Sequence, residues 1–210
     1  MSFDLWLAFL TAALLLAAAP GPDNLFVLMQ SAMHGARAGV FVTFGLCCGV
    51  FCHTLLAALG VAALIAGSPV MLTILKFAGA LYLFRLAWGA WRAPVDERDS
   101  NEKASPRLTD AQLWRRGIVM NLTNPKVLLF FLAFFPSFIL PGTTADAATQ
   151  QMLLMGAAFL VVTLVVFSLF AWCAGALADR VRTPEVQRFF NKLSSLVFAA
   201  LAISTLSVSV

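Results

Sequence analysis

Charge is what this 210-residue sequence has least of. Asp, Glu, Lys and Arg make up 11% of it, where a soluble domain carries about 25%. Its hydrophobic residues reach 61% before any glycine is counted. An ordinary soluble enzyme is excluded, because too little charge remains to solvate the surface of so apolar a chain. A disordered chain is excluded for the same composition, since such chains are poor in apolar residues. Cysteine is also scarce: Cys47, Cys48, Cys52 and Cys173 all lie in apolar runs and no two have CxxC spacing. That argues against a disulfide framework or a redox motif, and no cofactor is called for.

What is present are six apolar runs: Leu5–Met29, Gly39–Ala66, Val70–Trp91, Gly117–Leu140, Met152–Ala178 and Leu193–Val210. A bilayer core of about 30 Å needs roughly 20 apolar residues per helix, so each run is long enough to cross. The expectation is one all-α membrane domain over residues 1–210 with six transmembrane helices. A tight Gly35–Gly39 turn, a Gly67-Ser68-Pro69 turn, a charged loop 92–116, a polar loop 141–151 and a basic turn 179–192 would join them. The first run resembles the apolar stretch of a secretory signal, but residues 1–4 carry no positive charge and proline follows Ala19, so it is read as a span.

The net charge of +4 invites a nucleic-acid reading, which position removes. Lys76, Arg85 and Lys126 lie inside apolar runs. Every other basic residue falls in the first connection (Arg37), the third (92–116) or the fifth (179–192). By the positive-inside rule these connections are cytoplasmic, and both chain ends face outward.

Two runs are interrupted. The first contains Pro20-Gly21-Pro22-Asp23-Asn24, and the fourth contains Asn121-Leu122-Thr123-Asn124-Pro125-Lys126. Proline removes an amide hydrogen and clashes with the preceding turn, and glycine adds backbone freedom, so each helix should open and restart. Asn124 followed by Pro125 is a helix-start signature. The bland reading is a pair of kinks. Against it, non-helical backbone at membrane depth is tolerated only inside protein or beside a water-filled cavity. The breaks occupy spans one and four of a three-plus-three arrangement whose halves would be inverted, and paired discontinuous helices of this kind point to a transporter's substrate site. The first break lies deep in its run and the second near its start, so any symmetry reads as approximate.

Of 10 acidic residues, Asp23 alone lies within a run. A carboxylate there is either a proton or substrate-ammonium site or a capping group that holds the break together. Lys126 is placed to pair with Asp23 or to hold a substrate carboxylate. His53 is a proton relay or a donor to a neighbouring helix. Lys76 is a weaker candidate whose stem can reach an interface, as can that of Arg85. Gly45 and Gly49 suit helix packing.

In this ordered set the chain resembles the LysE/RhtB family of amino-acid exporters. The resemblance rests on Pro20–Asn24, the Gly35-x-Arg37-x-Gly39 turn, and Gly45, Gly49 and His53. It continues through Lys76–Leu83, then Asn121–Lys126, Phe130-Phe131 and Phe135-Pro136. Arg85 departs from it. The resemblance implies a bacterial inner-membrane exporter, not an enzyme, that moves amino acids or close derivatives on the proton gradient. Site residues would be Asp23, Asn24, Asn124, Lys126, His53 and Lys76, with Pro20, Gly21, Pro22, Asn121 and Pro125 shaping the breaks. The partners expected are a small-molecule substrate, protons and lipid, with no nucleic acid; the small-residue faces leave room for a homodimer. Two rivals are a membrane thiol or electron carrier, and metal efflux through Cys48, Cys52 and His53.

Overall fold

The computed structural model of the chain describes residues 2–19, 21–67, 69–93, 107–139, 142–181 and 183–207. Pro20 and the centre of the charged loop, with Arg98 and Lys103, lie outside the described residues, as does the side chain of Lys76 on the third span. The protein is an all-α, multi-pass membrane protein. Its elements are α1 (Phe3–Ala18), α2 (Pro22–His34), α3 (Ala36–Gly67), α4 (Pro69–Trp91), α5 (Asp110–Thr123), α6 (Pro125–Leu129), α7 (Ala145–Val181) and α8 (Pro184–Ser207). A π-helical turn, Phe130–Phe134, and a 3-10 turn, Phe135–Phe138, continue α6. Among the described residues, Ala36–Gly60 and Ala145–Ala174 are apolar and long enough to cross a bilayer on their own. The bent pairs α1 with α2 and α5 with the segment Pro125–Phe138 raise the number to four. Helices α4 and α8, of 23 and 24 residues, have the length a crossing requires.

The helices outrun the apolar runs, and several connections shrink accordingly. Residues 110–116, expected in the charged loop, are the first turns of α5. Thr109 caps them, accepting from Gln112 N, while the Gln112 side chain accepts from Thr109 N. This reciprocal capping box satisfies two otherwise orphaned amides. Helix α7 begins at Ala145 within the expected polar loop and runs to Val181, and α8 starts at Pro184 within the expected basic turn. The Gly35–Gly39 turn contracts to Gly35, whose φ of 88° only glycine adopts freely. Hydropathy reports immersion depth rather than helicity, which is why charged helix ends read as loops.

The same extension restores the symmetry that the runs obscured. Helix α1 has 16 residues before its break and α5 has 14. The bends are 56° and 53°. Helices in corresponding positions of the two halves also pack together, α3 with α7 and α4 with α8.

Apolar side chains cover the outside, for example Leu59, Leu81 and Trp172, as a lipid solvent demands. With lipid as apolar as leucine, close packing rather than water expulsion must hold the helices together. Helix α3 therefore crosses α5 at Gly45 and Gly117, where a Cβ on either would strike the backbone of the other helix. A second core is aromatic: Phe9 of α1 meets Phe135 and Phe138 at ring-centroid distances of 5.4 and 5.5 Å, and Phe130 stacks on Phe134 at 5.0 Å. Arg85 does not disturb this packing. It lies on the exposed side of α4, with its guanidinium 5.9 Å from the Tyr82 ring.

Candidate functional site

Breaking a helix in a membrane exposes the carbonyls at its end, and each needs a donor. At the end of α1, Asn24 Nδ2 donates to Ala17 O at 2.8 Å. Lys126 Nζ donates to Leu16 O at 3.2 Å and Ala19 O at 3.0 Å. A lysine from the second half of the chain thus finishes a helix of the first half, with its positive charge at the negative end of the helix dipole. Gly21 makes room for it, since a Cβ there would stand 3.2 Å from Lys126 Nζ.

The end of α5 is treated in mirror fashion. His53 Nε2, from α3, lies 3.3 Å from Asn121 O. A carbonyl can only accept, so Nε2 carries the hydrogen in this contact. The imidazole lies against the Phe131 ring at 5.6 Å and 23°. Gly49, one turn before His53, lets the Asn121 side chain seat against α3.

The breaks join at Asp23 and Asn124. Asp23 occupies the first turn of α2, behind Pro22, and Gly21 provides no side-chain cap. Asn124 Nδ2 donates to Asp23 Oδ2 at 2.7 Å, and Asn124 Oδ1 accepts from Lys126 N at 3.0 Å, capping α6 over Pro125. Asp23, Asn24, Asn121, Asn124 and Lys126 are all buried. Asp23, Asn121 and Lys126 line a cavity with about 10 Å³ of free volume, together with Phe159, Thr163 and Phe167 of α7. That is about the volume one water needs.

The structure therefore brings together Asp23, Asn24, Asn121, Asn124 and Lys126, and sets His53 beside Asn121. It gives Lys126 the α1 carbonyls as partners, and Asp23 takes its hydrogen bond from Asn124 instead. Cys48 and Cys52 face elsewhere, lining a separate groove of about 810 Å³ between α3 and α5 with Phe44, Phe51 and Trp114. Among the described residues, no three of His, Cys, Asp and Glu gather as metal ligands would. Sequence reasoning missed the α7 wall. Its visible signal was Thr163, a polar residue in the middle of the most apolar run.

Two interrupted spans thus meet around buried charge in a multi-pass membrane protein. The chain belongs to the LysE type translocators, whose family model matches residues 14–208. It is 34% identical over 198 residues to a homoserine/homoserine lactone efflux protein of Salmonella typhimurium, with 94% of each chain covered. It is 33% identical over 205 residues to a leucine efflux protein of Klebsiella pneumoniae, covering 94% of this chain and 92% of the relative. An uncharacterised membrane protein of Vibrio cholerae is 32% identical over 200 residues. No solved structure matches the chain.

Proposed function

We propose that the protein exports an amino acid or a close derivative from the cytoplasm by alternating access, driven by entry of protons. The family and the efflux proteins among its relatives support export. The observation that carries the site assignment is the Asp23–Asn124 hydrogen bond, which joins two helix breaks around a buried carboxylate. In this reading residues 1–210 form one transporter domain of six spans in a bacterial inner membrane. Both termini are periplasmic, because the basic connections belong inside.

The chemistry follows from the two breaks. The N-terminus of α2 favours an anion through its free amides and dipole, which suits the substrate carboxylate. At α6 the Lys126 amide is already taken by Asn124, so that end acts through the lysine charge. Asp23 alternates between a proton and the substrate ammonium. Asn124 holds its Oδ2, while Oδ1 has no partner and is the oxygen available to either. Ligand sites commonly enclose about 300–1,000 Å³, so the cavity must open to load. His53 is assigned to holding the end of α5, and Lys76 is kept as a position on α4 to be compared with Lys126.

The test is efflux of labelled amino acids, one by one, from proteoliposomes with and without a protonophore. Asp23→Asn should reconstitute normally and lose proton-driven efflux. Full proton-dependent transport by that variant would overturn the role of Asp23.

A further inference from the structure

Helix α2 carries more than the site. An α-helix advances about 100° and 1.5 Å per residue. Asp23, Asn24, Gln30, Ser31 and His34 therefore share an arc of about 120° along about 17 Å, while Leu25 and Ala32 point the opposite way and are exposed. The polar arc is the buried one: Gln30 and Ser31 are 6% and 5% exposed. Buried polar atoms are almost always bonded. Yet among the described residues the buried side-chain atoms without a partner are Asp23 Oδ1, Asn24 Oδ1, Gln30 Oε1, Ser31 Oγ, His34 Nε2 and Asn121 Oδ1. All but the last lie on α2. Val27, fully buried at the middle of this arc, is its one apolar member, and a face that served only packing would be apolar at the other positions too.

We propose that this face of α2 is the hydrated route between the site and the membrane face at which α2 ends, closed here where Ser31 meets Gly39. The closure is visible in the packing. A Cβ on Gly39 of α3 would collide with Ser31 Oγ, and it would come within 2.9 Å of the Ala171 side chain of α7. Three helices thus touch through their smallest residues, and a small displacement of α2 from α3 and α7 opens the row to water or to the polar groups of a passing substrate. The route rests on the reading of Asp23 as the transport site, and the positive-inside argument makes its mouth, at Gly35, cytoplasmic.

The experiment is thiol accessibility in proteoliposomes of known orientation. Cys47, Cys48, Cys52 and Cys173 are first replaced by alanine. Gln30→Cys, Ser31→Cys and the controls Leu25→Cys and Ala32→Cys are then exposed to a charged, membrane-impermeant methanethiosulfonate on one side at a time. Ala32 shares the depth of Ser31 on the opposite face, so it controls for depth. Gln30→Cys and Ser31→Cys should react several-fold faster than both controls, and faster from the Gly35 side. Rates no greater than the controls, or no preference for that side, overturn the route. Should Gln30→Cys fail to accumulate, Ser31→Cys, which exchanges a single atom, decides alone. Absent labelling with intact proton-driven export removes the route and leaves the proposed function. Intact labelling with normal export by Asp23→Asn does the reverse.

Discussion

Asn124 holds both breaks with one side chain: its Nδ2 donates to Asp23 Oδ2 at 2.7 Å while its Oδ1 caps α6 through Lys126 N. Replacing it removes a hydrogen bond to a carboxylate, worth about 1.5–3 kcal/mol, and a helix cap worth about 1 kcal/mol. Thr109→Ala removes only the cap of α5. Thermal unfolding in detergent should therefore show Asn124→Ala losing more stability than Thr109→Ala. Equal losses would mean that the Asp23 contact contributes nothing.

Lys126 and Asp23 bring opposite charges to one cavity without sharing a direct hydrogen bond. Lys126→Met leaves the buried carboxylate with the Asn124 hydrogen bond but no counter-charge, and frees the carbonyls of Leu16 and Ala19. Breaking a buried charge pair on one side costs about 3–5 kcal/mol, whereas apolar replacement of both partners is often neutral. The double variant Asp23→Asn/Lys126→Met should recover part of the loss, with the carbonyls of α1 accounting for what is not recovered. A double-mutant cycle with no coupling would separate the two charges energetically. Substrate binding should also weaken more in Lys126→Met than in Lys76→Met.

His53 tests whether a buried titratable group is used or merely placed. Its contact with Asn121 O calls only for a donor, which glutamine supplies. His53→Gln should keep proton-driven efflux, and His53→Leu should lose about 1–3 kcal/mol by leaving that carbonyl unsatisfied. Loss of proton dependence in His53→Gln, with binding intact, would make the imidazole a relay.

Glycines separate cleanly into seams and bystanders. At Gly45 an added Cβ would strike the carbonyl of Trp114, while around Gly60 and Gly89 nothing lies within 4 Å. Gly45→Ala should cost about 1–3 kcal/mol through overpacking. Gly60→Ala and Gly89→Ala should be neutral or stabilising, since alanine is favoured in helices by about 0.5–1 kcal/mol. Unfolding of the three variants in one detergent checks the order.

The breaks were legible in the sequence because proline, glycine and asparagine act on the backbone locally, wherever the segment ends up. Asp23 was legible because charge is rare in apolar runs. The start of α5 was not read there, although Thr109 and Gln112 have the spacing of a capping box; the arginines that follow suggest a loop to any reading based on hydropathy. The partner of Lys126 was out of reach for a different reason. A lysine stem can reach a carboxylate or a helix end equally well, and only where the fold sets Lys126 relative to the end of α1 decides between them. The α2 row escaped because Gln30, Ser31 and His34 fall beyond the apolar run and look like solvated residues until the helix is seen to continue through them.

The π turn at Phe130–Phe134 sets a rotational phase. One added residue in a helical turn re-aims everything beyond it by about 100°, and Phe135 and Phe138 reach Phe9 in that re-aimed orientation. Asn124 lies upstream and is untouched by it. The charged joint and the aromatic wall of one span are thus indexed independently: a single-residue deletion in the π turn would swing the rings off Phe9 while leaving Asp23 and Asn124 in register.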